Sequence, residues 1–175
     1  MSLVKILFVA FLVGFAGCAS QAPLVKLRIA GGEKLTLDMS RGGIIGDENE
    51  NAKVSLAGFR ADGKSKKGFY VFAVEFKQKA MPRSVTVEDV TGEEPQLMVE
   101  DQSPKLSERL WQWTGTPLSP DDKALEWIRE IDDSFRVYRV TVVLVDGRPI
   151  VLHYAAYFSS SLKLRMRRDL GLETP

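Results

Sequence analysis

Apolar and polar residues alternate with period two along most of the chain, and this pattern predicts strands. Val25, Leu27 and Ile29 alternate with Lys26 and Arg28. Beyond Gly31-Gly32, Leu35, Leu37 and Met39 alternate with Lys34, Thr36 and Asp38, so the two runs read as a β-hairpin packed on one face. Residues 52–60 and 68–77 give two more strands joined by a lysine-rich turn. In the second, Tyr70, Phe72, Val74 and Phe76 share one face and Phe69, Val71 and Ala73 the other, which places it mid-sheet with both sides covered. Gly58 breaks the alternation of the first and predicts a bulge. Residues 84–90 form a half-buried strand, and Leu97 and Val99 begin a shorter one. Residues 106–114 carry Trp111 and Trp113 on one face and fit a strand, although Ser107 to Leu110 also suits a helical turn.

Residues 135–158 predict the clearest hairpin, because Asp146-Gly147 suits a two-residue type I′ turn. That turn would set Val143 opposite Ile150, Thr141 opposite Leu152, Arg139 opposite Tyr154 and Val140 opposite His153. Both faces are largely apolar, so the two strands are central ones. Residues 119–131 predict a short helix, with Ser119 as cap, Pro120 in the first position and Asp121 and Asp122 at its positive end. Ala124, Leu125, Ile128 and Ile131 recur there at helical spacing. A final helix opens at Ser159-Ser160-Ser161 and ends at Gly171, with Leu162, Met166 and Leu170 as its docking stripe. Lys163, Arg165, Arg167 and Arg168 would face outward, either as a solvated face or as an anion contact for lipid head groups, lipopolysaccharide or cell-wall polymer. Together these elements predict a mainly β fold. It is a single immunoglobulin-like β-sandwich with a short helix near 119–131 and a C-terminal helix.

The first residues follow another logic. Lys5 precedes an apolar run from Ile6 to Phe15 that is too short to span a bilayer, which needs about 20 apolar residues. A charged start, a short apolar run and a small-residue end mark a secretory signal peptide. Ordinary cleavage after Ala16-Gly17 would leave Cys18 an incidental thiol, and a lone cysteine seated directly after that pair argues against it. Phe15-Ala16-Gly17-Cys18 resembles the bacterial lipobox, with Phe15 where leucine is usual. The resemblance covers only this leader. It implies a diacylglycerol thioether on Cys18, cleavage before it and an acyl chain on its new amine. Several chains hold a protein stably at a membrane where one is marginal. Ala19, rather than an acidic residue, follows the cysteine, which in Gram-negative relatives of this pattern looks like sorting to the outer membrane, facing the periplasm. The organisation expected is a signal peptide over 1–17, a lipid-anchored tether over 18–23 and one β-rich periplasmic domain over 24–175.

Composition narrows the chemistry. The chain has 24 basic and 23 acidic residues, and removing Lys5 with the leader leaves 23 of each. Balanced charge on a secreted protein gives no field for nucleic acid. No cysteine follows Cys18, which excludes a disulfide, a cysteine metal cluster and a thiol nucleophile in the domain. His153 is the only histidine and falls mid-strand, so it reads as a packing residue rather than a catalytic or metal one. The pairs Asp121-Asp122, Asp132-Asp133 and Glu93-Glu94 read as caps and turns, with a carboxylate hydrolase as the least favoured use. Residues 41–51 read as a solvated acidic loop without the spacing of a calcium loop. Trp111, Trp113 and Trp127 could pack the core or form a stacking platform for a glycan. The expectation is a non-enzymatic lipoprotein with no cofactor and no metal. Its partners are the membrane, through lipidated Cys18, and another envelope protein or a cell-wall polymer. A glycan-binding module is the alternative.

Overall fold

The computed structural model describes residues 24–38, 44–46 and 48–172. Strands β1 (Leu24–Arg28) and β2 (Lys34–Asp38) make a separate hairpin around a 3₁₀ turn at Ala30–Gly32. There follow β3 (Ile44–Gly46), β4 (Ala52–Asp62), β5 (Lys67–Phe76), β6 (Pro82–Asp89) and β7 (Gln96–Asp101). Then come β8 (Leu106–Ser107), β9 (Leu110–Thr114), β10 (Ser134–Leu144) and β11 (Pro149–Phe158). Helix α1 (Glu126–Arg129) lies between β9 and β10, and α2 (Ser160–Leu170) follows β11.

Two antiparallel sheets face each other, one ordered β4-β5-β9-β8 and the other β3-β11-β10-β6-β7. Successive hairpins alternate between them. Lettered A, B, C, C′, D, E, F and G in chain order, β4 to β11 give A-B-E-D against C′-C-F-G, the immunoglobulin arrangement. The core between the sheets is rich in rings. Phe72 on β5 meets Tyr138 on β10 edge-on at 5.3 Å between centroids, and Phe59 meets Tyr70 at 5.4 Å. A second, smaller core lies on the outer side of the larger sheet. There Ile29 and Ala30, with Val25, Leu27 and Leu35, cover Val90, Val137 and Ala155.

Local chemistry moved several predicted features. The β10–β11 loop has three residues, not two. Gly147 N–H donates to the Leu144 carbonyl at 2.9 Å and Leu144 N–H to the Arg148 carbonyl at 3.0 Å. Only Gly147 has positive φ there, as a three-residue loop requires and a type I′ turn does not. The register therefore slips by one. Val142 faces Ile150, Val140 faces Leu152 and Tyr138 faces Tyr154, while Arg139 meets His153 and not Tyr154. This slip sets Tyr138, Val140 and Val142 beside Tyr154, Leu152 and Ile150 in one buried row. The bulge of β4 falls between Val54 and Leu56, and Gly58 stays in register opposite Val71.

Residues 41–51 are not only loop, because β3 pairs with Tyr154–Ala156. A Cβ at Gly46 would lie 2.5 Å from the Val54 carbonyl oxygen, so only glycine allows β3 this close to β4. The helical segment starts later than Ser119. Backbone hydrogen bonds between Leu118 and Gly68 keep the chain extended there. Asp122 supplies the cap, accepting from Ala124 N–H at 2.9 Å, and a 3₁₀ turn at Lys123–Leu125 runs into α1. Helix α2 ends as predicted, with Ser159 Oγ accepting from Leu162 N–H at 3.3 Å and Gly171 left-handed.

Gly68 gives a direct test of this packing. A Cβ there would lie 1.9 Å from Phe59 Cζ, and Phe59 is buried. Gly68→Ala is expected to lower unfolding free energy by about 1–3 kcal/mol through overpacking. Urea denaturation measures it, and an unchanged midpoint would contradict the Phe59–Gly68 contact.

Candidate functional site

The three tryptophans do not share an exposed face. Trp111 is 1 % exposed, and its indole Nε1 donates to Asp101 Oδ2 at 2.9 Å, tying β9 to the end of β7 across the sandwich. Trp113 is half-buried and stacks on Phe72 at 5.8 Å. Trp127, on α1, is buried edge-on to Phe158 at 4.7 Å, with the Arg136 guanidinium 5.2 Å from its ring centre. The packing role explains all three, and the stacking platform loses the surface it needs.

The basic cluster of α2 is divided. Arg165 and Arg168 are exposed, but Lys163 is 1 % exposed and Arg167 is 8 % exposed. Lys163 Nζ donates to the Asp132 carbonyl at 2.7 Å and lies 4.0 Å from the Glu130 carboxylate. Burial pulls its pKa below the usual lysine range, against the pull of Glu130, Asp132 and Asp133. Arg167 Nη1 donates to the Arg129 carbonyl at 3.4 Å. The chain leaving α1 presents backbone carbonyls without intrahelical donors, and these two cations supply donors. The docked face is therefore Lys163, Met166, Arg167 and Leu170, with Leu162 half-buried at its margin. The four cations do not form one outward patch.

A buried ion pair escaped the sequence reading. Asp89 is 3 % exposed and accepts from Arg136 Nη2 and, through Oδ1, from Thr91 N–H at 2.9 Å. Burial pulls the Arg136 pKa down, but Asp89, Tyr138 and Tyr70 outweigh it and hold the guanidinium above its ordinary range. Burial pushes the Tyr138 hydroxyl well up. The signal was present in the alternation, since Asp89 follows Val85 and Val87 on the inward face of β6.

The remaining candidates have structural partners. Arg139 donates to Glu88 Oε2 through Nε at 3.0 Å and Nη2 at 2.9 Å, and His153 opposite it lies 3.9 Å from the Glu33 carboxylate. Asp133 accepts from the Tyr157 hydroxyl and from Ser160 N–H at 2.7 Å, which together hold its carboxyl below the usual range. Asp122 is the cap already described, and Glu93 and Glu94 are exposed in a turn. A groove of about 370 Å³ at the β10–β11 turn is lined by Phe76, Met81, Val145 and Ile150 and has one carboxylate, Asp146, paired with Arg148. No group of three or more metal-ligating side chains occurs among the described residues. Cys18 lies outside the described residues.

No family model, curated protein or solved structure matches the chain. The reading of its function therefore stands on its own residues.

The split of the α2 cations is measurable. Lys163→Ala is expected to cost about 1–3 kcal/mol, from a lost buried hydrogen bond and lost packing. Arg165→Gln and Arg168→Gln should each change stability by less than about 0.5 kcal/mol. Equal effects at all three positions in urea unfolding would contradict the burial of Lys163.

Proposed function

We propose that this chain is a lipid-anchored lipoprotein of the bacterial cell envelope, held at the periplasmic face of the outer membrane. Its domain acts as a non-enzymatic structural or interaction module. The observation that carries the reading is Phe15-Ala16-Gly17-Cys18, six residues ahead of β1. The lipobox resemblance supplies the anchor, and no helix of the described residues is long and apolar enough to cross a membrane. The immunoglobulin-like arrangement supports a binding or scaffolding role by analogy of fold alone. Side chains that suggested chemistry are engaged in the fold, as His153 beside Arg139 and Asp133 at the start of α2 illustrate. Burial of Trp111 and Trp127 leaves the glycan-binding alternative with little support. The carboxylate hydrolase ranks lowest, because the carboxylate pairs serve caps and turns.

Cys18→Ala is expected to abolish incorporation of labelled fatty acid and to release the domain from the membrane fraction. Complete membrane partition and normal processing of that variant would overturn the reading.

A further inference from the structure

Helix α2 takes Lys163 and Arg167 inward, and the β1–β2 hairpin keeps exposed cations of its own. On the β1–β2 hairpin, alternation sends Val25, Leu27 and Leu35 against the second core. Leu24, Lys26, Arg28, Lys34 and Thr36 are exposed on the opposite face, and the register sets one acidic residue, Asp38, opposite Leu24. Arg28 and Lys34 are directly opposed in the register, and like charges facing across two strands are destabilising. Among the described residues no carboxylate makes an ion pair with Lys26, Arg28 or Lys34. Leu24 adds an exposed apolar side chain, 64 % accessible, at the start of the same face. An anionic surface would relieve the repulsion and cover the leucine.

The chain itself limits which surface that is. Leu24 follows Cys18 by six residues, which span at most about 20 Å fully extended. A lipid on Cys18 thus keeps the hairpin within reach of the head groups. The inward face is already packed, so the cationic face is the one available. We infer that the outward face of the β1–β2 hairpin, through Lys26, Arg28 and Lys34, docks on the anionic head groups of the bilayer that anchors the chain. This inference rests on the lipoprotein reading. It would fix the orientation of the sandwich, laying the larger sheet's hairpin-covered side toward the membrane.

The test uses the full lipid-modified chain reconstituted in phosphatidylethanolamine vesicles with or without phosphatidylglycerol. A reporter is attached at Thr36→Cys, and at Val145→Cys on the exposed β10–β11 loop as reference. With phosphatidylglycerol, the Thr36 reporter should be shielded from an aqueous quencher and the Val145 reporter should not. High salt should remove the shielding, because it screens exposed charges. The combined Lys26→Gln, Arg28→Gln and Lys34→Gln variant should remove it too. Equal quenching in both lipids overturns the inference, as does shielding lost only on Arg165→Gln with Arg168→Gln. Mass spectrometry of the N-terminal peptide reports separately on the anchor. If it shows no lipid, the lipoprotein reading fails, and the same variants are compared by co-sedimentation with phosphatidylglycerol vesicles. Weakening on the order of 100-fold by the three glutamines, at about 1 kcal/mol per cation, would support the hairpin contact. No weakening would overturn it.

Discussion

The edge-to-face contact of Phe72 with Tyr138 joins the two sheets where the fold most needs a tie. These rings belong to β5 and β10, which take the places of strands B and F. In antibody domains a disulfide joins those strands. This chain has one cysteine, Cys18, so no disulfide can form within residues 24–175. Ring packing replaces it, and the other rings extend the contact. Trp113 stacks on Phe72 from one side, and Tyr70 lies beside both Phe72 and Tyr138. Phe59 and Trp127 then carry the cluster to Phe158 near the start of α2. Residues that looked in isolation like a ligand platform are parts of this chain of rings.

The same core accepts charge at one end. Asp89 and Arg136 are paired inside, and Arg167 and Lys163 reach the carbonyls of Arg129, at the end of α1, and Asp132, just beyond it. Buried ionic groups of this sort add little net stability but penalise any arrangement that separates them. Here they fix how α1 and α2 sit against the sandwich. Their second effect is on the surface. Two of four helix cations are withdrawn, while Lys26, Arg28 and Lys34 of the N-terminal hairpin stay exposed.

Much of the fold was legible in the sequence because alternation fixes both strand and face. The N-terminal hairpin and the mid-sheet position of β5 follow from it, and the caps of α2 follow from Ser159 and Gly171. The β10–β11 register was not, because Asp-Gly serves a two-residue loop and a three-residue loop ending in left-handed glycine equally well. The faces held the answer. Tyr138, Val140 and Val142 make a better core row with Tyr154, Leu152 and Ile150 than with Ala155, His153 and Val151. The start of α1 was misplaced because Ser119 and Asp122 are both good caps, and the choice depended on a backbone pairing with Gly68, far away in sequence. Burial of Lys163 was hidden for a similar reason. Its partner is a carbonyl of another segment, and carbonyls leave no mark in a side-chain pattern.

The ring contact between the sheets is open to a double-mutant cycle in urea unfolding, with Phe72→Leu, Tyr138→Leu and the pair. Aromatic pairs in edge-on contact couple by about 0.5–1.5 kcal/mol. A coupling in that range is expected between Phe72 and Tyr138, with a midpoint insensitive to thiol reductant. Additivity within about 0.3 kcal/mol would contradict it, because residues that do not touch behave independently.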